Sequence, residues 1–541
     1  MRFFLIIVCM LGLSAPVQAD ETLYDIVIRN GRVLDGAGNP WIEADIAVKD
    51  GKIVQIGHVA GKAQREIDAA GLYVSPGWID MMDQSGRALR SVGLAPNKIN
   101  MGVTSLIGGE GGTPVPAAEI RSYFHELETK GISVNFGTYY SATQARIAVL
   151  GDSNIDPTPE QLSEMKALID EAMQAGVMGL TTALIYPPGA YHKTENLIEL
   201  SKVAAEYDGL YASHIRGESA ELLTSVAEAI EIGEKSGAGV EIFHLKAAYY
   251  PNWGKDMPAA LKMIADARAR GVNVAADIYP YVAGGTGLEI TAPNWVYAEG
   301  VEKSLEYLKD PAKRMRMKAE IAAGPTETWT NLVYASGGWK NVVLANSYLP
   351  RFEKYHGKNF AEIGEDMGRD PADIAWDIML EVFPNRPMAL YFMMNAADVE
   401  LAMQAPFVSI GSDAASALKE GDLDDLGLPH PRSYGTFPKI ISHFVRDKGV
   451  IRLPDAIRKM TSWPAARMGL ADRGLIKTGL AADITIFDLK TIKDTATWAN
   501  PTAKPEGINY VIVNGKLVLD EGLHTGATPG SVLYGPGHKA E

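Results

Sequence analysis

The chain has 541 residues, of which 47% are hydrophobic and 22% charged, and its formal net charge is −15. This length exceeds one typical domain and suits a barrel of about 250 residues with additions. The composition is that of an ordinary globular protein, which argues against a wholly disordered chain. Because nucleic-acid-binding proteins usually carry a basic patch, the acidic balance and the lack of a lysine and arginine cluster argue against that class.

The N-terminus predicts a cleavable secretory signal. Met1-Arg2 gives a positive start, Phe3–Leu13 is an apolar run, and Ala19 is a small residue at the expected cleavage site. Removal of residues 1–19 would send the mature protein to the periplasm or the exterior. The alternative interpretation is a buried N-terminal helix. The apolar run is too short to span a bilayer and no later segment resembles a membrane helix, so we expect no membrane association.

The chain has a single cysteine, Cys9, which lies inside this predicted signal. The mature protein would therefore contain no cysteine. That excludes disulfide bonds, thiolate metal ligands and a cysteine nucleophile. A metal site or catalytic group has to be built from other residue types.

Both ends of the mature chain have the alternating apolar pattern of β-strands. Asn30-Gly31 and Asp50-Gly51 at one end and Asn514-Gly515 at the other are typical hairpin turns. Two distant β-rich ends that flank a long middle predict one small β-sandwich domain, assembled from residues 20–70 and 470–541.

The segment between these ends, residues 71–469, alternates predicted strands and helices. Thr158-Pro159 begins a helix with a capping-box pattern and Gly176 ends it, and further helices are predicted at Glu218–Ser236 and Pro258–Arg270. Roughly eight strand candidates with helical crossovers predict an α/β fold, a TIM-like (β/α)8 barrel, with an open doubly wound sheet as the alternative. The candidates are the run around Leu72–Ile79 and the segments VTSLIG, ISVNFGT, VMGLTTAL, GLYAS, VEIF, VNVAADI and FVSIG.

One stretch, at about residues 284–387, fits this alternation poorly. It is long and rich in tryptophan, tyrosine and proline. We interpret it as an insertion over the barrel mouth. Such insertions often shape substrate pockets, although a purely structural excursion fits the same composition.

Polar residues stand at the ends of four predicted strands. Glu110 follows VTSLIG, His214 follows GLYAS, His244 follows VEIF, and Asp413 follows FVSIG. In a barrel these ends meet at the rim where active sites form. Two histidines and a glutamate around an open position make a catalytic zinc site, and Asp413 would be a nearby carboxylate able to move protons. Taken singly, each histidine can also be a hydrogen-bonded core residue, and Asp413 can cap a helix.

Seven motifs then follow one another in order along the chain. They are PGWID, GVTSLIGGEGG, the segment from YASHIRGE to IFHLKAA, DIYPYVAGGTGL, SIGSDAAS, HPRSYGTFPKII and GLIKTGLAADITIFDL. This order resembles the N-acyl-D-amino-acid deacylase (D-aminoacylase) branch of the amidohydrolase superfamily, from about Tyr24 to the C-terminus and least between Gly300 and Pro387. The resemblance implies a zinc-dependent hydrolase that cleaves a linear amide, an N-acyl-D-amino acid, into a carboxylic acid and a free amino acid.

The resemblance also implies roles for particular residues. His214 and His244 match the histidines that hold the tightly bound zinc, and Asp413 matches the aspartate that moves a proton from water to the leaving amine. Lys246 and Arg432 match basic residues that bind the carboxylate of a small-molecule substrate. A tyrosine beside the scissile carbonyl matches Tyr281, although Tyr279 in the same Tyr-Pro-Tyr motif leaves that assignment open.

Two departures from the family pattern concern the metal. The family has a His-x-His pair after the first barrel strand, where this chain has Met82 and Gln84. Thioether and amide groups are poor zinc ligands, so we expect the second, looser metal position to be lost. Glu110 replaces a family cysteine and can still bind zinc, so one zinc ion per chain is expected. Asp80 or Asp83 is an alternative source of the missing ligands.

Two further functions stay open on the sequence alone. A related barrel enzyme of the hydantoinase type would open a cyclic amide or ureide. The presence of Lys246 and Arg432 favours a free carboxylate on the substrate instead. A non-catalytic periplasmic binding protein is the other alternative, and the joint presence of His214, His244 and Asp413 argues against it.

Overall fold

The computed structural model describes residues 23–417 and 428–540, so the predicted signal peptide with Cys9 lies outside the described residues. The strands of the described part are β1 Leu23–Val33, β2 Ile42–Lys49, β3 Lys52–Gly57, β4 Lys62–Asp68, β5 Tyr73–Pro76, β6 Trp78–Asp83, β7 Val103–Gly108, β8 Asn135–Thr138, β9 Tyr140–Ser141, β10 Gly179–Ala183, β11 Leu210–His214, β12 Gly239–Ile242, β13 Val274–Ile278, β14 Gly284–Gly287, β15 Val342–Asn346, β16 Met388–Tyr391, β17 Val408–Ile410, β18 Ile484–Phe487, β19 Ile508–Val513, β20 Lys516–Asp520 and β21 Leu523–His524.

The α-helices of the same residues are α1 Gly86–Ser91, α2 Pro96–Asn100, α3 Ile120–Lys130, α4 Ala142–Leu150, α5 Pro159–Ala175, α6 Thr194–Ala205, α7 Leu222–Ser236, α8 Asp256–Ala269, α9 Val301–Lys309, α10 Pro311–Ala323, α11 Leu332–Ala335, α12 Phe360–Met367, α13 Pro371–Val382, α14 Ala396–Gln404, α15 Arg432–Lys439, α16 Leu453–Met460 and α17 Ser462–Arg467. Helix α15 continues as a π-helical segment, Ile440–Asp447. Short 3-10 turns lie at Ala117–Glu119, Gly189–Tyr191, Tyr250–Asn252, Leu288–Thr291, Asn294–Val296, Trp339–Asn341 and Pro350–Tyr355.

The two ends of the chain form one β domain, as the sequence predicts. Strand β5 pairs antiparallel with β18, which joins the N-terminal and C-terminal strands into one nine-stranded sheet. Ile28, Val74 and Ile484 pack in a single buried cluster, so the two ends also share a core. The sheet therefore holds the first and last strands of the chain together beside the barrel.

One predicted turn of this domain has a different structure. Asp50-Gly51 and Asn514-Gly515 do connect neighbouring strands, with Asp50 and Asn514 at positive φ. Asn30-Gly31 instead lies inside β1, where the pairing with β2 shifts register between Ile28 and Gly31. The register shift shows that the Asn-Gly pair marks a β-bulge and not a hairpin turn. The sequence could not distinguish the two, because an asparagine at positive φ, here 58°, is tolerated in both.

Parallel strands form the predicted barrel. In the described part of the chain its eight positions are β6, β7, the pair β8 and β9, β10, β11, β12, β13 and β17. The barrel closes between its first and last strands, where Asp83 bridges Ala414 and the Asp413 N–H donates to the Met82 carbonyl oxygen at 2.8 Å. The (β/α)8 prediction is confirmed, and the open-sheet alternative is wrong.

The predicted first barrel strand is divided between two sheets. Tyr73–Pro76 belongs to the β domain, and the barrel begins at Trp78. Gly77 separates them, and a Cβ there would lie 2.2 Å from the Thr104 hydroxyl oxygen. An uninterrupted apolar run therefore crosses from the β domain into the barrel, which moves the domain boundary beyond residue 70.

Residues 284–391 lie between the seventh and eighth barrel strands and form a compact subdomain. Strands β14, β16 and β15 make an antiparallel sheet there, with β16 in the middle. Helices α9 to α13 pack around it on a separate apolar core that includes Leu344 and Trp376. This subdomain contributes a wall of the cavity at the C-terminal rim of the barrel.

The last described residues leave the β domain and run along the barrel. Val532 bridges Phe136, and the Leu533 N–H donates to the Phe136 carbonyl oxygen at 2.8 Å. The Leu533 side chain belongs to the same buried apolar cluster as Met178 and Phe243, which adjoin barrel strands β10 and β12. Among the described helices, none has the length and apolar content needed to cross a membrane.

Candidate active site

A cavity of about 670 Å³ opens at the C-terminal rim of the barrel. Glu110, His214, His244 and Asp413 all line it, as their positions after four barrel strands predict. Residues of the 284–391 subdomain line the opposite wall, among them Ile290, Leu332 and Met388. The largely apolar wall and the polar floor give the cavity the character of a small-molecule site.

Glu110, His214 and His244 converge on one point. The Glu110 Oε2 atom lies 2.6 Å from His214 Nδ1 and 3.3 Å from His244 Nε2, and one donor atom from each residue lies within 4.8 Å of the others. Both histidines are buried. Two imidazole nitrogens and one carboxylate oxygen match the protein ligands of a catalytic zinc with a fourth position for water or substrate. The donor set therefore fits a metal ion.

Charge at this point also suits a cation. Burial opposes ionisation of Glu110, but the neighbouring His214 and His244 outweigh it and hold the pKa of Glu110 well below its usual range. Burial likewise opposes protonation of His214, yet the carboxylates of Glu218 and Glu110 raise its pKa to about 9. The same negative surroundings would stabilise a divalent cation between these side chains.

Glu218 is a buried part of the site that the sequence analysis missed. Its Oε1 atom lies 3.1 Å from His244 Nδ1 and accepts a hydrogen bond of 2.5 Å from Lys246 Nζ, while Oε2 lies 3.3 Å from His214 Nε2. Burial opposes its charge, but the charges of His214, Lys246 and His244 keep its pKa well below the usual range. Glu218 thus faces the ring nitrogens turned away from Glu110. Its position four residues after His214 was the available sequence signal.

Asp413 lies at the cavity with a donor near each carboxylate oxygen. Arg432 Nη1 lies 2.7 Å from Oδ2, and the Gln84 amide donates to Oδ1 at 3.3 Å. The backbone of Asp413 adopts φ 49°, in the left-handed region. Described residues 414–417 are not helical, so capping of a following helix does not explain this aspartate.

The two basic residues named in the sequence analysis also line the cavity. Arg432 begins α15, donates to the Gly285 carbonyl oxygen at 3.3 Å, and holds its guanidinium over the Tyr279 ring at 4.9 Å. The Lys246 ammonium lies 5.8 Å from the centre of the same ring. Each cation has a carboxylate partner, so both are held in place by charge before a substrate arrives.

The structure separates the two tyrosines of the Tyr-Pro-Tyr motif. The Tyr281 hydroxyl donates to the Pro431 carbonyl oxygen at 3.3 Å, and its ring packs on Trp498, away from the cavity lining. Tyr279 lines the cavity, and burial raises its pKa well above the usual range, so the phenol stays a neutral donor. The geometry therefore favours Tyr279 and not Tyr281 beside a reacting carbonyl.

The carboxylates proposed as replacement ligands are engaged elsewhere. The buried ammonium of Lys98 lies 2.9 Å from Asp80 Oδ2 and 2.8 Å from Asp83 Oδ2. All three side chains are fully buried. Asp80 and Asp83 are therefore the counter-ions of Lys98, a residue that the sequence analysis did not single out, and the alternative ligand role has no support in the geometry.

A second arginine reaches the cavity from the insertion. Arg386 donates to Glu289 Oε1 at 2.7 Å and to Thr286 Oγ1 at 2.9 Å. Its guanidinium lies over the Tyr186 ring at 5.4 Å, and that ring contacts His214. The sequence analysis missed both residues: Arg386 belongs to the insertion, and Tyr186, three residues after β10, was not singled out.

Comparisons with known proteins agree with this arrangement. The model of the Amidohydrolase family matches residues 403–519. D-aminoacylase from Alcaligenes xylosoxydans xylosoxydans is 30% identical over 539 residues, which cover 95% of this chain and 99% of that protein. A solved structure of D-aminoacylase with a binuclear metal centre has a TM-score of 0.79 and 29% identity, and covers 94% of this chain and 100% of its own.

The structure of N-acyl-D-glutamate deacylase from Bordetella bronchiseptica, in complex with zinc and a phosphonate inhibitor, has the same TM-score of 0.79. It is 28% identical and covers 95% of this chain and 100% of its own. The likeness thus extends over both the β domain and the barrel, and it confirms the family that the order of motifs indicates. This chain belongs to the N-acyl-D-amino-acid deacylase (D-aminoacylase) branch of the amidohydrolases.

Proposed function

We propose that this protein hydrolyses linear N-acyl-D-amino acids and uses one zinc ion held by Glu110, His214 and His244. The observation that carries the proposal is the convergence of these three donors beside Asp413 in a single cavity. The relatives named D-aminoacylase and N-acyl-D-glutamate deacylase support the substrate class, and the zinc complex of the latter supports the metal.

The chain supplies most of the required chemistry through its own side chains. A zinc ion bound here would polarise the carbonyl and lower the pKa of a water ligand to about 7. Asp413 would accept a proton from the attacking water and deliver it to the departing amine nitrogen, which is otherwise a poor leaving group. Tyr279, as a neutral donor, would stabilise the negative charge that develops on the carbonyl oxygen.

Lys246 and Arg432 would bind the carboxylate of the substrate. Arg432 contacts Asp413 and Gly285 through its two terminal nitrogens, and a guanidinium carries five N–H donors, so further donors remain for a substrate oxygen. Because Arg432 would contact both Asp413 and the substrate carboxylate, it would bring the scissile amide next to Asp413. A planar fork can bind a carboxylate through two parallel hydrogen bonds, which an ammonium cannot do.

The test is a substrate panel on metal-depleted protein with and without added zinc. We expect activity to return near one zinc per chain and to favour N-acyl-D-amino acids over their L forms. Arg432→Lys should raise KM for these substrates far more than it changes kcat. Hydrolysis of hydantoins alone would favour a ring-opening enzyme, and a zinc-loaded protein that turns over no amide would favour the binding-protein alternative.

A further inference from the structure

Asp413 accepts a side-chain hydrogen bond from a residue that stands in place of a metal ligand. Gln84 Nε2 donates to Asp413 Oδ1 at 3.3 Å. Arg432 Nη1 approaches the other oxygen at 2.7 Å, but this ion pair does not have the geometry of a hydrogen bond. Within the described residues, Gln84 is thus the side chain that gives this carboxylate a directed hydrogen bond.

A second metal ion does not fit at this position. Met82 is fully buried, and its sulfur lies 3.9 Å from the Gln84 amide nitrogen, which is a donor and not a ligand. Asp80 and Asp83 both form ion pairs with the buried ammonium of Lys98. The described residues contain one group of three or more potential ligands, and it is the group around Glu110.

The same residues fix the backbone that carries Asp413. The Asp413 N–H donates to the Met82 carbonyl oxygen, and the Gln84 N–H donates to the Ala414 carbonyl oxygen at 3.2 Å. Lys98 also donates to the Ala414 carbonyl oxygen, at 2.6 Å. One hydrogen bond thus holds Asp413 itself and two converge on the carbonyl oxygen of the next residue, so the backbone around Asp413 is fixed while its side chain can still rotate.

Such rotation would be costly for catalysis. An arginine fork can bind both oxygens of a carboxylate, and a carboxylate turned fully onto Arg432 would direct neither oxygen at the reacting atoms. A hydrogen bond from the opposite side, to Oδ1, opposes that turn. General bases need such a fixed geometry, since a misplacement of about 1 Å can cost about 100-fold in rate.

We propose that Gln84 is a positioning residue that holds the Asp413 carboxylate in its reactive orientation, at a place where binuclear relatives have a metal ligand. The inference rests on the proposed function, in which Asp413 is the proton acceptor. It explains why loss of the family histidines at positions 82 and 84 is compatible with a working site: one replacement fills the barrel interior and the other restrains the aspartate.

The experiment compares the wild type, Gln84→Leu, Gln84→Glu and the control Gln404→Leu, each loaded with zinc. Leucine keeps much of the glutamine volume without a donor, and glutamate keeps its shape and polarity while replacing the donor with a carboxylate. Gln404→Leu makes the same substitution at an exposed glutamine of α14 that does not line the cavity. Measured quantities are kcat and KM for an N-acetyl-D-amino acid, bound zinc and the thermal midpoint.

We expect both Gln84 variants to lower kcat by about 10-fold or more, with KM and bound zinc within twofold of the wild type. Gln404→Leu should match the wild type in kcat. An unchanged kcat, a rise in KM alone, or loss of zinc in both Gln84 variants would overturn the inference while leaving the proposed function in place. A zinc-loaded wild type without turnover would overturn the proposed function and this inference together. If Gln84→Leu fails to fold, Gln84→Glu decides.

Discussion

At the scale of single residues, a change at Asp413 can separate proton transfer from zinc binding. Asp413→Asn keeps the size of the side chain and can still face Arg432, but it cannot accept a proton. We expect kcat to fall about 10²- to 10⁴-fold, with bound zinc and the thermal midpoint close to those of the wild type. Steady-state kinetics with elemental analysis of the same preparation provide the measurement. Turnover within a few-fold of the wild type would assign the proton transfer to another group.

Glu218 contacts both histidines, and we expect it to act through them. With His214 Nδ1 and His244 Nε2 turned to Glu110, the opposite ring nitrogens face the Glu218 carboxylate. Such partners fix the tautomer and orientation of a metal ligand, and their loss commonly costs 10- to 100-fold in metal affinity. We therefore expect Glu218→Gln to weaken zinc binding by about that factor in a chelator competition assay.

Glu221 offers the matched control for this measurement. It lies three residues further on, is half-buried, and accepts a hydrogen bond from the Ser219 hydroxyl at 3.1 Å. Glu221→Gln should leave the zinc affinity within twofold of the wild type. Equal losses of affinity in both variants would point to a general effect on the loop after β11 and would contradict an orienting role for Glu218.

Sequence reasoning located residues at the cavity where strand order alone decides position. Glu110, His214, His244 and Asp413 each follow a barrel strand, so the topology brings them to one rim. Glu218 and Lys98 were missed because a buried charged residue can be identified only from its ion-pair partners, and those partners are distant in the sequence or on other elements. Tyr279 and Tyr281 share one motif, and only the local turn decides which one faces the cavity.

At the scale of elements, apolar periodicity located helices α5, α7 and α8 and the barrel strands, but not the joints between sheets. Helix α5 has the predicted capping box, with Thr158 Oγ1 accepting from the Gln161 N–H at 3.3 Å, and it ends at Gly176. The run from Leu72 to Ile79 gave no sign of the change of sheet at Gly77, because both of its halves are buried. The apolar pattern reports that a strand is buried, but it does not report which sheet the strand belongs to.

The C-terminal tail is an element whose contribution can be measured. Leu533 is buried in the apolar cluster with Met178 and Phe243, whereas Leu523 on β21 is 70% exposed. Leu533→Ala should reduce the free energy of unfolding by about 2–5 kcal/mol, since it removes buried contacts and leaves a cavity. Leu523→Ala should change it by less than about 0.5 kcal/mol. Urea unfolding followed by circular dichroism tests the pair, and equal midpoints would show that the tail adds little to barrel stability.

At the scale of the whole molecule, the proposal that remains is export. The signal pattern of residues 1–19 would place the mature N-terminus at Asp20, and the first strand of the β domain begins only at Leu23. Cleavage would therefore leave every pair that β1 makes with β2, β4 and β5 intact. The mature chain would contain no cysteine, so an oxidising compartment would form no disulfide in it.

We expect the protein, expressed from its own start codon in a bacterium with a periplasm, to appear in the periplasmic fraction with a mass that begins at Asp20. Ile7→Asp is the control, because a charge in the middle of the apolar run should block recognition of the signal and retain the uncleaved chain in the cell. Intact-mass measurement of both fractions distinguishes the outcomes. Soluble cytoplasmic protein that keeps Met1 and binds zinc normally would reject export and leave the N-terminal segment to the alternative of a buried helix.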